Sequence, residues 1–166
     1  GGQLAMVEWL HVNRSEGCTV DAMDWAAKGG HLSVVEWLHA NRTEGCTTAA
    51  LDKAAKNGHL LVVEWLHANR TEGCTEEAMN RAAEYGHLSV VEWLHANRTE
   101  GCTTQAMDWA AGGDQKWVVY DGLTKKRMFK SKGGHLCVLE WLHTNRTEGC
   151  STDAMDWAAG LGHLSV

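Results

Sequence analysis

Apolar positions along this chain fall into two alternating patterns separated by short polar stretches. In one pattern, typified by Ala78, Met79, Ala82 and Ala83, they recur at i, i+1, i+4 and i+5, a single stripe on an α-helix. Thr75 stands where an N-cap is needed, and Glu76 and Glu77 occupy the first turn, where the helix dipole favours acids. Gly86 then supplies the left-handed residue that ends this helix. In the other pattern, Leu88, Val90, Val91, Trp93 and Leu94 cover well over half of a second helix predicted from about His87 to Asn97. That face is too broad for a helix packed on one side only. A polar turn from Asn97 to Gly101 closes the unit.

The same two-helix unit returns in phase. Gly-His-Leu begins at Gly30, Gly58, Gly86, Gly134 and Gly162, and Gly2-Gln3-Leu4 is a degenerate copy, so the steps are 28, 28, 28, 48 and 28 residues. Glu-Trp-Leu-His recurs with Trp9, Trp37, Trp65, Trp93 and Trp141, and Glu-Gly-Cys with Cys18, Cys46, Cys74, Cys102 and Cys150. No single unit can bury its own apolar surface, so folding is expected to be a property of the stack. The prediction is one array over residues 1–166, with units starting at 2, 30, 58, 86, 134 and 162 and an insert at 114–133 within the fourth.

Ala110-Ala111 and Gly86-His87-Leu88-Ser89-Val90-Val91 resemble the ankyrin repeat, whose core reads Thr-Pro-Leu-His-x-Ala-Ala-x-x-Gly-His-x-x-Val-Val-x-x-Leu-Leu. The match returns along nearly the whole chain outside the insert. It implies an all-α, ankyrin-like solenoid of stacked helix-turn-helix repeats that binds protein partners. Two departures stand out. Ala-Met-Asp or close variants replace Pro-Leu-His in a chain without proline, a change at the helix start that the fold tolerates. The unit is also 28 residues long, against roughly 33 usual for the family. The shortfall lies between Leu94 and Gln105, where the family carries its β-hairpin finger, so a plain tight loop is expected there.

Comparison of the copies separates fixed from variable columns. The second helix is nearly constant, whereas one first-helix column reads Trp25, Lys53, Arg81, Trp109, Trp157, and Tyr85 varies nearby. Residues that interlock with identical neighbours stay fixed, while outward ones are free to change. The resemblance implies that the first helix lines the concave, partner-binding side. Aromatic and Arg side chains there suit protein recognition; drift on a solvated face is the bland alternative.

Composition adds exclusions. The chain has 166 residues, 44% hydrophobic and 22% charged, with a net charge of −6, a balance that argues against nucleic acid as the main partner. No apolar run reaches the ~20 residues of a membrane span. Cys residues at equivalent sites of stacked units would stand ~10 Å apart, beyond the roughly 7 Å that a disulfide allows. No metal-ligand spacing occurs, so no metal or cofactor is expected, and buried thiols in a reducing, intracellular setting are favoured. Cys137, in a column otherwise of Ser or Leu, is expected to be partly exposed. The His31 column stands at the family's structural His and is expected to bond backbone at the helix start. The His11 column, at the end of the second helix, is expected to complement the dipole as a protonated ring. A catalytic His needs a unique partner, which a repeated His lacks, so no enzyme is predicted. Asn-Arg-Thr or Asn-Arg-Ser sequons recur five times, but a turn-forming Asn accounts for them locally.

The insert carries Lys125, Lys126, Arg127 and Lys130 among its cations and has a net charge of +4, which leaves −10 elsewhere. Trp117 to Tyr120, Asp121-Gly122 and Leu123 to Phe129 read as a β-hairpin. A loop expansion, a disordered excursion and translated non-coding sequence are the alternatives. Three functions stay open: a protein-binding module, a binder of nucleic acid or an acidic partner through the insert, and a structural spacer. Without a first Met or polar capping units, the array is expected to continue beyond both ends and, isolated, to self-associate.

Overall fold

The helix periods translate directly into helices. The computed structural model describes residues 2–112 and 134–163. These form α1 (Gly2–Asn13), α2 (Asp21–Lys28), α3 (Leu32–Asn41), α4 (Thr48–Lys56), α5 (Leu60–Asn69), α6 (Glu76–Glu84), α7 (Leu88–Asn97), α8 (Gln105–Gly112), α9 (Leu136–Asn145) and α10 (Thr152–Leu161). Among the described residues there is no strand, so the loop from Arg98 to Thr104 is the plain turn expected of a unit without a finger. The fold is an all-α solenoid of stacked helix pairs.

The chain divides into two compact units, residues 1–78 and 79–166, with the division inside α6. In the first, α2 packs on α3 and α4 on α5 to form helix pairs; α2 also stacks on α4, and α1, α3 and α5 stack in turn. In the second, α8 pairs with α9 while α8 meets α10 and α7 meets α9. First helices therefore stack on first helices and second on second. This explains the two sequence patterns: a first helix shows a narrow Ala-rich stripe, and a second helix is gripped on several sides.

Small residues set the spacing. Ala26, Ala27, Ala54, Ala55, Ala82, Ala83, Ala110 and Ala111 are buried, as are the pairs Val34-Val35, Val62-Val63 and Val90-Val91. Gly30, Gly58 and Gly86 have φ of +73° to +75°, a region that costs other residues a Cβ clash. At Gly30 an added Cβ would also stand 2.6 Å from the His59 ring, so the turn and the next unit both exclude a side chain.

Residues 114–133, with Lys125, Lys126, Arg127, Lys130 and the expected hairpin, lie outside the described residues. The helix pair around them closes as it does elsewhere. His135 N–H donates to Ala110 O at 3.0 Å, the bond that His31 N–H makes to Ala26 O at 3.0 Å in a unit with no insert. Removing 114–133 joins Gly113 to Gly134 and restores the Ala-x-Gly-Gly-His register of Ala27 to His31. The deletion variant is expected to keep its far-ultraviolet circular dichroism per helical residue. Its urea midpoint should not fall, because a shorter loop costs less closure entropy; a lower midpoint would show that the insert supports the stack.

Candidate functional site

The variable first-helix column meets its neighbours unevenly. Trp25, on α2, is 65% exposed although Met23, Ala26 and Ala27 on the same helix are buried. Lys53, Arg81, Tyr85 and Trp157 are half-buried. Trp109, expected on the outward face, is only 8% exposed. The Arg81 guanidinium carbon lies 4.0 Å from the centre of its ring, a cation–π contact, and Arg81 also donates to Glu84 Oε2 at 2.8 Å. The Arg81 side chain is thus turned along the stack to cover Trp109. Tyr85 stacks on His87 with ring centres 6.4 Å apart.

A second set of residues, missed in the sequence reading, ties unit to unit. Asp24 is buried and accepts from Thr47 N–H at 2.9 Å and from the Thr47 hydroxyl at 2.6 Å. The same hydroxyl accepts from Ala49 N–H at 3.1 Å, capping α4. Asp52 repeats this with Thr75 at 2.8 and 2.9 Å, and Asp108 with Ser151 at 2.8 and 2.9 Å. Asn80 makes the equivalent pair with Thr103, both bonds at 3.0 Å. Each N-cap is therefore oriented by the preceding first helix. The signal was present as two nearly constant columns, 23 residues apart except across the insert, where they stand 43 apart, but a column shows likeness rather than contact.

The histidines also act between units. His59 contacts backbone, but across a junction: its Nε2 lies 3.1 Å from Lys28 O at the end of the preceding first helix, where Asn57 Nδ2 also donates at 2.8 Å. In the other column, His11, His39 and His95 meet Trp37, Trp65 and Trp141 edge to face, with centres 5.1–5.2 Å apart. Their Nδ1 atoms lie 3.3–3.5 Å from the guanidinium groups of Arg42, Arg70 and Arg146. A guanidinium only donates, so any hydrogen bond in these contacts is accepted by the ring nitrogen.

The arginines close a polar lid over the cysteine column. Arg42 pairs with Glu44, Arg70 with Glu72 and Arg146 with Glu148. The Arg42 hydrogen bond, helped by backbone N–H groups, holds the Glu44 carboxyl at about 2. Burial, and after it the charge of Glu72, pushes the Cys46 thiol up to about 11. A thiol that holds its proton this firmly is a poor nucleophile and ligand. Cys46 and Cys74 are buried, Cys18 and Cys102 half-buried, and Cys137 and Cys150 exposed; none of the six is in a disulfide. The buried-thiol expectation thus fails for Cys150, the member of the column with no Arg–Glu lid after it in the chain. Among the described residues no group of three or more His, Cys, Asp or Glu side chains could hold a metal ion, and no helix is long and apolar enough to cross a membrane.

The geometry is that of repeated stacking contacts with a variable outer column. Among family models, one described as ankyrin repeats (many copies) matches residues 1–39 and 51–95, together just over half of the chain. No curated protein matches the chain.

Proposed function

The chain belongs to the ankyrin-repeat family, whose members generally act as non-catalytic protein–protein interaction modules, and from that premise we propose that it binds a protein partner on its first-helix side. The observation that carries this reading is Trp25, a large aromatic 65% exposed on a helix whose Met23, Ala26 and Ala27 are buried. Lys53, Arg81, Tyr85 and Trp157 extend the candidate contacts on the later first helices. Aromatic and Arg side chains are enriched among the residues that dominate protein-binding energetics. Trp109 is left out of the contact set, since Arg81 already covers it. The less variable columns support the same division: the residues that stay the same or change only conservatively are those that hold units together through Asp–Thr and His–Trp contacts.

The test uses a protein captured by the intact chain and compares its affinity for the chain with and without Trp25→Ala and Trp157→Ala. Loss of about 2 kcal/mol or more of binding, with circular dichroism unchanged, is expected. A partner held equally well by the double variant would place the binding surface elsewhere.

A further inference from the structure

We propose that the first-helix side of residues 1–78 receives an acidic, carboxylate-bearing segment of the protein partner, held by Lys28, Lys53 and Lys56. This rests on the reading that a partner binds on that side, and adds the chemistry of the partner. Among the described residues these are the only lysines, and all three stand on α2 and α4. Every described arginine, by contrast, is already in an ion pair with a glutamate. Lys28 and Lys53 are in no ion pair among the described residues. Lys28 ends α2 and Lys56 ends α4 at the same place in the repeat. Because α2 stacks on α4, the two stand ~10 Å apart. Lys53 lies one turn before Lys56, as Trp25 lies one turn before Lys28, the spacing of neighbours on one helix face. Three cations and an indole thus form a patch two helices wide and one turn long. Lys53 and Lys56 stay half-buried, not sealed, with α2 stacked against their helix.

A lysine near a helix end also complements the dipole, but the fold asks little of it here. Lys28 O already accepts from Asn57 Nδ2 at 2.8 Å and lies 3.1 Å from His59 Nε2. The equivalent position on α6 is Glu84 and on α8 Gly112, so no cation is required to end a first helix. Like charges three residues apart on a helix repel, a cost that a bound carboxylate removes. Carboxylate is favoured over nucleic acid. A polyphosphate needs a long basic track, whereas this patch ends after one turn and the chain outside the insert carries −10. The arginine fork that grips phosphate in bidentate fashion is engaged by glutamate throughout the described residues. Lysine heads are point charges on flexible stems, suited to an extended segment. Such a segment rises ~3 Å per residue, so acids three residues apart span the distance from Lys28 to Lys56.

Fluorescence anisotropy of a labelled peptide of repeated Glu-Ser-Leu, titrated with the full chain, tests this. The peptide is expected to bind, a Lys-Ser-Leu counterpart not to bind, and an oligouridylate of similar charge to bind more weakly. Affinity for the Glu peptide should fall about tenfold between roughly 50 and 200 mM salt. Replacing Lys28, Lys53 and Lys56 together by Gln should lower it about tenfold or more, with circular dichroism unchanged because none of the three is buried. Equal binding by that triple variant, or a preference for oligouridylate, would overturn the proposal. So would binding that survives the triple variant and disappears when residues 114–133 are deleted, which would place the acidic ligand on the insert. The protein captured by the intact chain separates this inference from the reading beneath it. A partner lost with Trp25→Ala and Trp157→Ala, yet indifferent to the lysine variant and to salt, would leave the first-helix side standing and remove the acidic segment.

Discussion

Leu66→Ala lowers the stability of the folded chain by about 2–5 kcal/mol, the usual cost of a cavity left by a fully buried leucine, whereas Leu10→Ala costs less than about 1 kcal/mol. Both leucines occupy the same place in the repeat, one residue after the Trp of Glu-Trp-Leu-His. What separates them is company. Leu66 is 2% exposed on α5, with α4 and α3 packed against that helix. Leu10 is 46% exposed on α1, and among the described residues no first helix packs against it as α4 packs on α5. Urea unfolding followed by circular dichroism measures both. Equal losses at the two positions would mean that burial in this chain comes from within each unit and not from neighbours, contrary to the stacking account.

Asp24→Ala should cost about 1–3 kcal/mol, because it leaves the Thr47 N–H and hydroxyl without their acceptor in a partly buried place. Asp24→Asn should cost much less. The chain itself supplies the precedent: Asn80 occupies the equivalent position, fully buried, and makes both bonds to Thr103 at 3.0 Å. The amide oxygen takes the place of one carboxylate oxygen, and its N–H₂ donates to the hydroxyl, which then serves as acceptor. Unfolding midpoints of the two variants decide the matter. An Asn variant as unstable as the Ala variant would show that charge, rather than the pair of hydrogen bonds, matters here.

Much of the architecture was legible in the chain. The second helix expected from about His87 to Asn97 is α7, Leu88–Asn97, and the glycines expected to end first helices have positive φ. These features are local: a stripe at helical spacing, a cap and a glycine act within one or two turns. The site was less legible. Trp25 and Trp109 share a residue type and a repeat position, yet one is 65% and the other 8% exposed. Arg81, 28 residues earlier in the chain, folds over Trp109, and no described first helix precedes α2 to do the same for Trp25. The partners of the histidine columns were not legible for the same reason, since the Lys28 carbonyl and the Arg42 guanidinium that face His59 and His11 belong to other units.

By itself, the order of residues determined the helices, their ends, the length of the unit and the need for stacking, because each follows from groups close together along the chain and from apolar surface that one unit cannot hide. Only the tertiary structure decided which aromatic stays outside, which carboxylate caps which helix and which thiol is sealed. Those outcomes depend on groups 23 to 51 residues apart meeting across a junction, and a repeating pattern states that positions are equivalent without stating what stands beside each one.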